Sequence, residues 1–152
     1  MTIENLDDAD GRTFPAQRMT KNLVGGSSSV QAEHFNLGYV ELDPEGGQVP
    51  WHNHEQEEIY FILEGTGEMC VGDEIQTVHG GQVIYVPSNE YHQLTNVSDT
   101  PLTMIYCYAP AEPVDHWWHE LEGTLPEAGE DAPPLPEGAH PQCTRPAEGN
   151  VG

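Results

Sequence analysis

Residues 46–65 read GGQVPWHNHEQEEIYFILEG. His52 and His54 sit one residue apart, and Glu58 follows four residues after the second. Side chains alternate faces along a strand, so HNH on a strand points both imidazoles the same way. Glu58 opens the next apolar run and shares a face with Tyr60 and Ile62, while Glu57, Ile59 and Phe61 share the other. Residues 81–96, GQVIYVPSNEYHQLTN, bring a third histidine, His92, after a turn marked by glycine and proline. Three imidazoles and a carboxylate suit one divalent transition metal per chain, with Fe(II) or Mn(II) first and Ni(II) or Zn(II) next. Four protein ligands leave a five- or six-coordinate ion an open position, which a catalytic metal needs.

Outward from this stretch, the chain reads as short strands between turn signals. HFNLGYVELD, EEIYFILEG, GEMCVGDEIQTV, QVIYVP, HQLTNV and PLTMIYCYA are broken at Gly65, Gly72-Asp73, Gly80-Gly81, Pro87-Ser88-Asn89 and Ser98-Asp99. Such regular spacing predicts an all-β sandwich or barrel over 34–109. Residues 1–33 read as a polar N-terminal arm with a flexible GGSSS at 25–29. Residues 110–152 read as an acidic, Pro-rich C-terminal extension packing on the barrel, and they hold eight of the 13 prolines. In it, PVDHWWHELEG predicts a short helix or aromatic strap, with Trp117 and Trp118 docked on the barrel. TLPEAGEDAPPLPEGAHPQ reads as extended chain.

The 152 residues suffice for one domain with a real core. They carry 26 acidic and four basic residues, a formal net charge of -22. Phosphate binding needs clustered Lys and Arg, so nucleic acid is excluded as a partner, and an anionic membrane surface is disfavoured likewise. The excess of acid suggests a salt-adapted, halophilic protein whose self-repulsion is screened. The acidic start lacks an apolar stretch, and no run nears membrane-spanning length, so a cytoplasmic location is expected. Cys70 and Cys107, inside apolar runs, read as buried free thiols of a reducing compartment.

The two histidine-bearing stretches resemble the cupin superfamily. The first fits G-x5-H-x-H-x3-E-x6-G at Gly46, His52, His54, Glu58 and Gly65. The second fits G-x5-P-x-G-x2-H-x3-N at Gly81, Pro87, His92 and Asn96, with Asn89 where the family usually has glycine. Asn tolerates positive φ better than most residues, so the turn survives. The resemblance implies a double-stranded β-helix, a jelly-roll-like barrel, with a metal held inside by His52, His54, Glu58 and His92. It also implies a homodimer.

The superfamily includes dioxygenases, decarboxylases, isomerases, lyases and non-catalytic binders, so the fold does not settle the chemistry. No Lys or Arg lies between Asn22 and Thr144. Phosphate and dicarboxylate substrates, which want a guanidinium or ammonium, are therefore expected only if Arg12, Arg18 or Lys21 folds over the mouth. The first expectation is a dioxygenase-like enzyme acting on a small neutral or aromatic molecule, with Glu58 or Tyr60 moving a proton. The alternatives are a redox-neutral lyase, isomerase or decarboxylase with Tyr60 as base, and a non-catalytic small-molecule-binding cupin. Tyr60 also has the plain reading of an inward residue that only packs. Met104 and Cys107 read as core. His116 and His119, at i and i+3, could join a second metal site on a helix. His34, His79 and His140 read as surface or structural.

Overall fold

The computed structural model describes residues 1–144. Ten strands precede one helix: β1 (Gly11–Phe14), β2 (Arg18–Val24), β3 (Asn36–Leu42), β4 (Gln48–His52), β5 (Glu57–Glu64), β6 (Thr66–Val71), β7 (Glu74–His79), β8 (Val83–Val86), β9 (His92–Asn96), β10 (Leu102–Ala109) and α1 (His116–Glu122). The strands form two sheets, ordered β1-β2-β3-β10-β5-β8 and β4-β9-β6-β7. The pairings within both sheets are antiparallel. No helix among the described residues is long and apolar enough to cross a membrane.

The core lies between the sheets and is built by period-2 alternation. β10 buries Leu102, Met104, Tyr106 and Tyr108 and turns Thr103, Ile105 and Cys107 outward. β5 buries Glu58, Tyr60 and Ile62 and turns Glu57, Ile59 and Phe61 away, as the sequence predicts. From the facing sheet come Val49, Met69, Val78 and Leu94. Cys70 is buried, but Cys107 is only half-buried because alternation on β10 sends it to the outer face.

Two departures from the sequence reading matter. The barrel does not begin at residue 34. β1 pairs β2, and β2 pairs β3 from Arg18↔Leu42 to Asn22↔Gly38, so much of the polar arm is sheet. β1 is the edge strand and β2 lies next to it, and both alternate weakly, which is why a polar composition hid them. The GGSSS stretch is an ordered β2–β3 connection rather than a loose one. Gly25 N donates to Val30 O, and Ser28 Oγ to Leu23 O.

All five residues of β4 and all five of β9 are buried. Their inner faces meet the core, and their outer faces are covered by the C-terminal extension. There Trp51 and Cys70 pack with Ala132, Leu135 and Ala139. The Pro-rich chain has few N–H groups, so glutamines supply donors. Gln48 Nε2 reaches Pro141 O at 3.1 Å, Gln93 Nε2 reaches His140 O at 3.0 Å, and Gln142 Nε2 reaches Trp51 O at 2.9 Å.

Motif residues that bind nothing have fold roles. Asn96 is buried and donates to Leu42 O, Asp43 O and Thr100 O while its Oδ1 accepts from Ser98 N. Gly65 adopts φ 100, and a Cβ there would lie 2.8 Å from Leu102 Cα. Asn89 holds φ 66, as expected of asparagine at a glycine position. Asn96→Ala should lower the free energy of unfolding by about 3 kcal/mol, because it strips several buried partners at once. Asn89→Gly should stay within about 0.5 kcal/mol of the parent, since the backbone geometry is already met. Urea unfolding at fixed salt compares the two.

Candidate metal centre

β4 cannot be a regular strand and place both Val49 and His52 inward, because they differ by an odd number of positions. A bulge resolves this. Val49 pairs Leu94 and His52 pairs His92, so Pro50 and Trp51 together face Gln93 alone. Pro50 has no N–H to lose there, and Trp51 N donates to Gln93 Oε1 at 3.1 Å. His52 ends the strand, so His54 lies on the loop beyond it rather than on the strand the sequence suggests. The two rings still converge, with centroids 5.4 Å apart, and His52 and His92 lie at 4.2 Å.

Each imidazole is oriented by a backbone carbonyl. His52 Nδ1–H donates to Pro50 O at 2.6 Å, His54 Nδ1–H to Gln56 O at 3.0 Å, and His92 Nδ1–H to Glu90 O at 2.9 Å. That tautomer turns each Nε2 inward as an acceptor, the arrangement in which histidine ligates a metal. One ligand atom from each ring lies within 4.8 Å of the others. Glu58 stands outside that mutually close trio, but its Oε1 is 3.2 Å from Nε2 of both His54 and His92. His52 Nε2 is buried with no hydrogen-bond partner.

Four acceptors thus point into one buried space. A ring that donates to Glu58 from Nε2 as well as to a carbonyl from Nδ1 must be an imidazolium. A divalent cation supplies the same positive charge without protons, so the donor set fits a divalent metal. Burial alone would raise the Glu58 carboxyl, but its bonds to the His54 and His92 rings hold it at about 2. Tyr60, with its ring 5.9 Å from His92, is pushed well above the usual phenol range by burial and by the Glu58 charge.

The space beside the triad is lined by His54, Glu58 and Tyr60 together with Tyr106, Tyr108, Val40, Val49 and Met104. Met104 is both core and cavity wall. Gly38 makes room for this wall, since a Cβ there would lie 2.3 Å from the Tyr106 ring. Tyr85 is elsewhere, exposed and bonded to Glu57. The cavity holds about 20 Å³, room for little more than one water.

What fills it was not legible in the sequence. α1 closes the mouth, contributing Val114 just ahead of it, His116 and Trp117 to the lining. The His116 ring stacks on His52 at 3.7 Å, and its Nδ1–H donates to Glu120 Oε2 at 2.9 Å. Glu120 accepts both arms of the Arg18 guanidinium, at 2.5 and 2.9 Å. The cavity therefore does contain a fixed cation, because β2 carries Arg18 inward beside Thr20. The stretch 22–144, which lacks Lys and Arg, says nothing about a strand that precedes it. The one available signal was Arg18 alternating with Thr20.

His119 is exposed and bonded to Thr124, so it shares no site with His116. Among the described residues, the His52–His54–His92 trio is the one group of His, Cys, Asp and Glu placed to hold a metal. Trp117 packs on Phe14 and Tyr106, as expected, but Trp118 is exposed under Arg12. His34 and His79 are exposed, and His140 pairs with Glu68 on the outside. Arg145 lies outside the described residues.

A family model for the cupin domain matches residues 38–108. The chain belongs to the cupin family. An uncharacterized protein of Methanocaldococcus jannaschii is 38% identical over 68 residues, 44% of this chain. That match spans only 54% of the length of the Methanocaldococcus protein. An uncharacterized protein of Streptomyces coelicolor is 34% identical over 83 residues, 55% of this cupin and 77% of the relative. Among solved structures, the polyketide cyclase RemF of Streptomyces resistomycificus superposes with a TM-score of 0.62 at 24% identity. The match covers 74% of this cupin and 80% of that chain, and shows the shared fold alone.

His116 is held down to about 4 by burial, against the pull of Glu120, and burial lowers His52 as well. Between the ordinary value of 6.5 and about 4, the unfolded chain binds a proton at His116 that the folded chain refuses. The metal-free protein should therefore lose stability as pH falls through that window. Urea midpoints at neutral and mildly acidic pH measure the loss, and His116→Gln should flatten it.

Proposed function

We propose that this cupin is a mononuclear metal-dependent enzyme that performs a dioxygenase-like reaction on a small organic molecule. The observation that carries the reading is the convergence of three carbonyl-oriented imidazoles and Glu58 on one buried point, with the His52 Nε2 otherwise unpartnered. His52, His54, His92 and Glu58 would hold the ion. When bound, a divalent ion such as Fe(II) or Mn(II) supplies Lewis acidity and access to oxygen chemistry.

The rest falls to the chain. Tyr60 stays a neutral phenol near neutral pH, so it serves as a hydrogen-bond donor to a ligand oxygen rather than as a base. Glu58 stays ionised and acts as a ligand rather than a proton acceptor. Tyr106 and Tyr108 offer flat faces to an aromatic or unsaturated molecule, and Trp117 on α1 closes the cavity against water. The case for a neutral substrate rested on a cavity without cations, and Arg18 removes that ground.

Two other readings each have a feature in their favour. A guanidinium in the cavity wall suits redox-neutral chemistry on an acid, by a lyase, isomerase or decarboxylase. A cavity of about 20 Å³ suits a non-catalytic binding cupin for as long as α1 stays seated. Homodimerisation is part of the proposal. Phe61, Leu63, Val83 and Tyr85 on β5 and β8 are exposed, and a second copy would cover them.

Elemental analysis of protein prepared without chelator or nickel resin is the first test. About one iron or manganese per chain with oxygen uptake fits the lead reading, whereas zinc or nickel with anaerobic turnover would replace it. His52→Ala and His92→Ala should each lose most of the metal. Tyr60→Phe should keep the metal but turn over about 100-fold more slowly, if its hydroxyl donates to the reacting oxygen.

A further inference from the structure

We propose that Arg18 is a carboxylate-binding group of the cavity, that Glu120 occupies it in the closed protein, and that a small organic carboxylate binds by displacing α1. The inference rests on the reading of this cavity as the substrate site.

The fork is built from the barrel and not from the helix. Arg18 Nε donates to Thr20 Oγ1 at 3.3 Å, and the guanidinium lies 4.1 Å from the centre of the Phe14 ring. Both partners belong to β1 and β2, so the guanidinium keeps its place when α1 leaves. Its two outer nitrogens face a planar carboxylate, and Glu120 satisfies them in the bidentate manner. Arg18 is 2% exposed, and a buried guanidinium left without an anion is strongly disfavoured. Whatever takes the place of Glu120 must therefore carry negative charge, and the fork selects a planar acid.

Position ties this fork to the metal ligands. Arg18, His54 and Glu58 line the same cavity. Between the fork and the triad stands the His116 ring, stacked on His52 and bonded to Glu120. When α1 leaves, both the carboxylate and this imidazole leave with it. The space released runs from Arg18 to the triad, as a molecule needs if its acid end is held by Arg18 and its other end by the metal. While α1 is seated, about 20 Å³ admits no such molecule. α1 is well suited to leave. It has seven residues, Trp118 and Leu121 on it are exposed, and it is held on the barrel by Trp117, His116 and Glu120, with Trp118 touching the exposed Arg12.

Calorimetric titration of the full chain with sodium benzoate, against equal sodium chloride, tests this. It is run on both metal-loaded and chelator-stripped protein. Glu120→Gln removes the competing charge and should bind benzoate about tenfold more tightly than the parent, because an occluded state no longer competes. Trp117→Ala leaves Arg18 and Glu120 in place but loosens α1, and should shift affinity the same way. Arg18→Gln should abolish binding. Benzoate should also speed hydrogen exchange of the α1 amides in the parent.

Equal affinity for parent, Glu120→Gln and Trp117→Ala would overturn the displacement. Benzoate binding that survives Arg18→Gln would overturn the site, and inorganic phosphate matching benzoate would overturn the carboxylate class. If Arg18→Gln fails to fold, the Trp117→Ala comparison decides. Arg18-dependent binding to stripped protein keeps this inference even if His52→Ala shows there is no metal site. Metal loss in His52→Ala, together with Arg18-independent binding, would sink this inference alone.

Discussion

A single extra residue in β4 organises both faces of the smaller sheet. With Pro50 and Trp51 set opposite Gln93, His52 turns into the barrel beside His92 while Trp51 turns outward. Inside, that completes the imidazole trio. Outside, Trp51 Nε1 donates to Pro133 O at 2.9 Å, and its ring anchors the small apolar cluster under the extension. The extension in turn continues from α1, which brings His116 and Glu120 over the mouth. The metal ligands and the group that covers them therefore share one local distortion of the backbone.

The part of this architecture that spacing controls was readable. The first motif puts His52, His54 and Glu58 together because only residues 53–56 separate β4 from β5, while His92 lies beyond three intervening strands and was placed beside them by the resemblance of both motifs to cupins. Local geometry leaves little freedom there. Alternation placed Glu58, Tyr60 and Ile62 on one face for the same reason. What escaped was long-range. Arg18 and Glu120 are separated by 102 positions, and no local pattern marks their pairing. β1 and β2 escaped because the edge strand and its neighbour are only partly buried and tolerate a polar composition. The Pro50–Trp51 bulge escaped because an HxH motif reads equally well as strand or as strand end.

The site divides its labour between fixed and movable groups. Carbonyl oxygens of Pro50, Gln56 and Glu90 hold the imidazoles from behind, so their direction does not depend on what sits in front. Tyr60, Tyr106 and Tyr108 belong to central strands and are equally constrained. Against them stands one short helix that carries its own acid and its own imidazole. Few cupin-like features in the sequence bear on this helix, which lies beyond the matched residues 38–108.

Beyond α1, the extension lies on the barrel mainly through uncharged bonds, with the pairing of His140 to Glu68 as the exception. Gln48, Gln93 and Gln142 join neutral amides to neutral carbonyls, although eight acidic residues lie between Glu112 and Glu137 on a chain of net charge -22. Dissolved ions weaken the repulsion between two acidic surfaces and leave amide–carbonyl bonds almost untouched. Brine should therefore press the extension onto the sheet, and dilution should let it lift, the reverse of an attachment made by ion pairs.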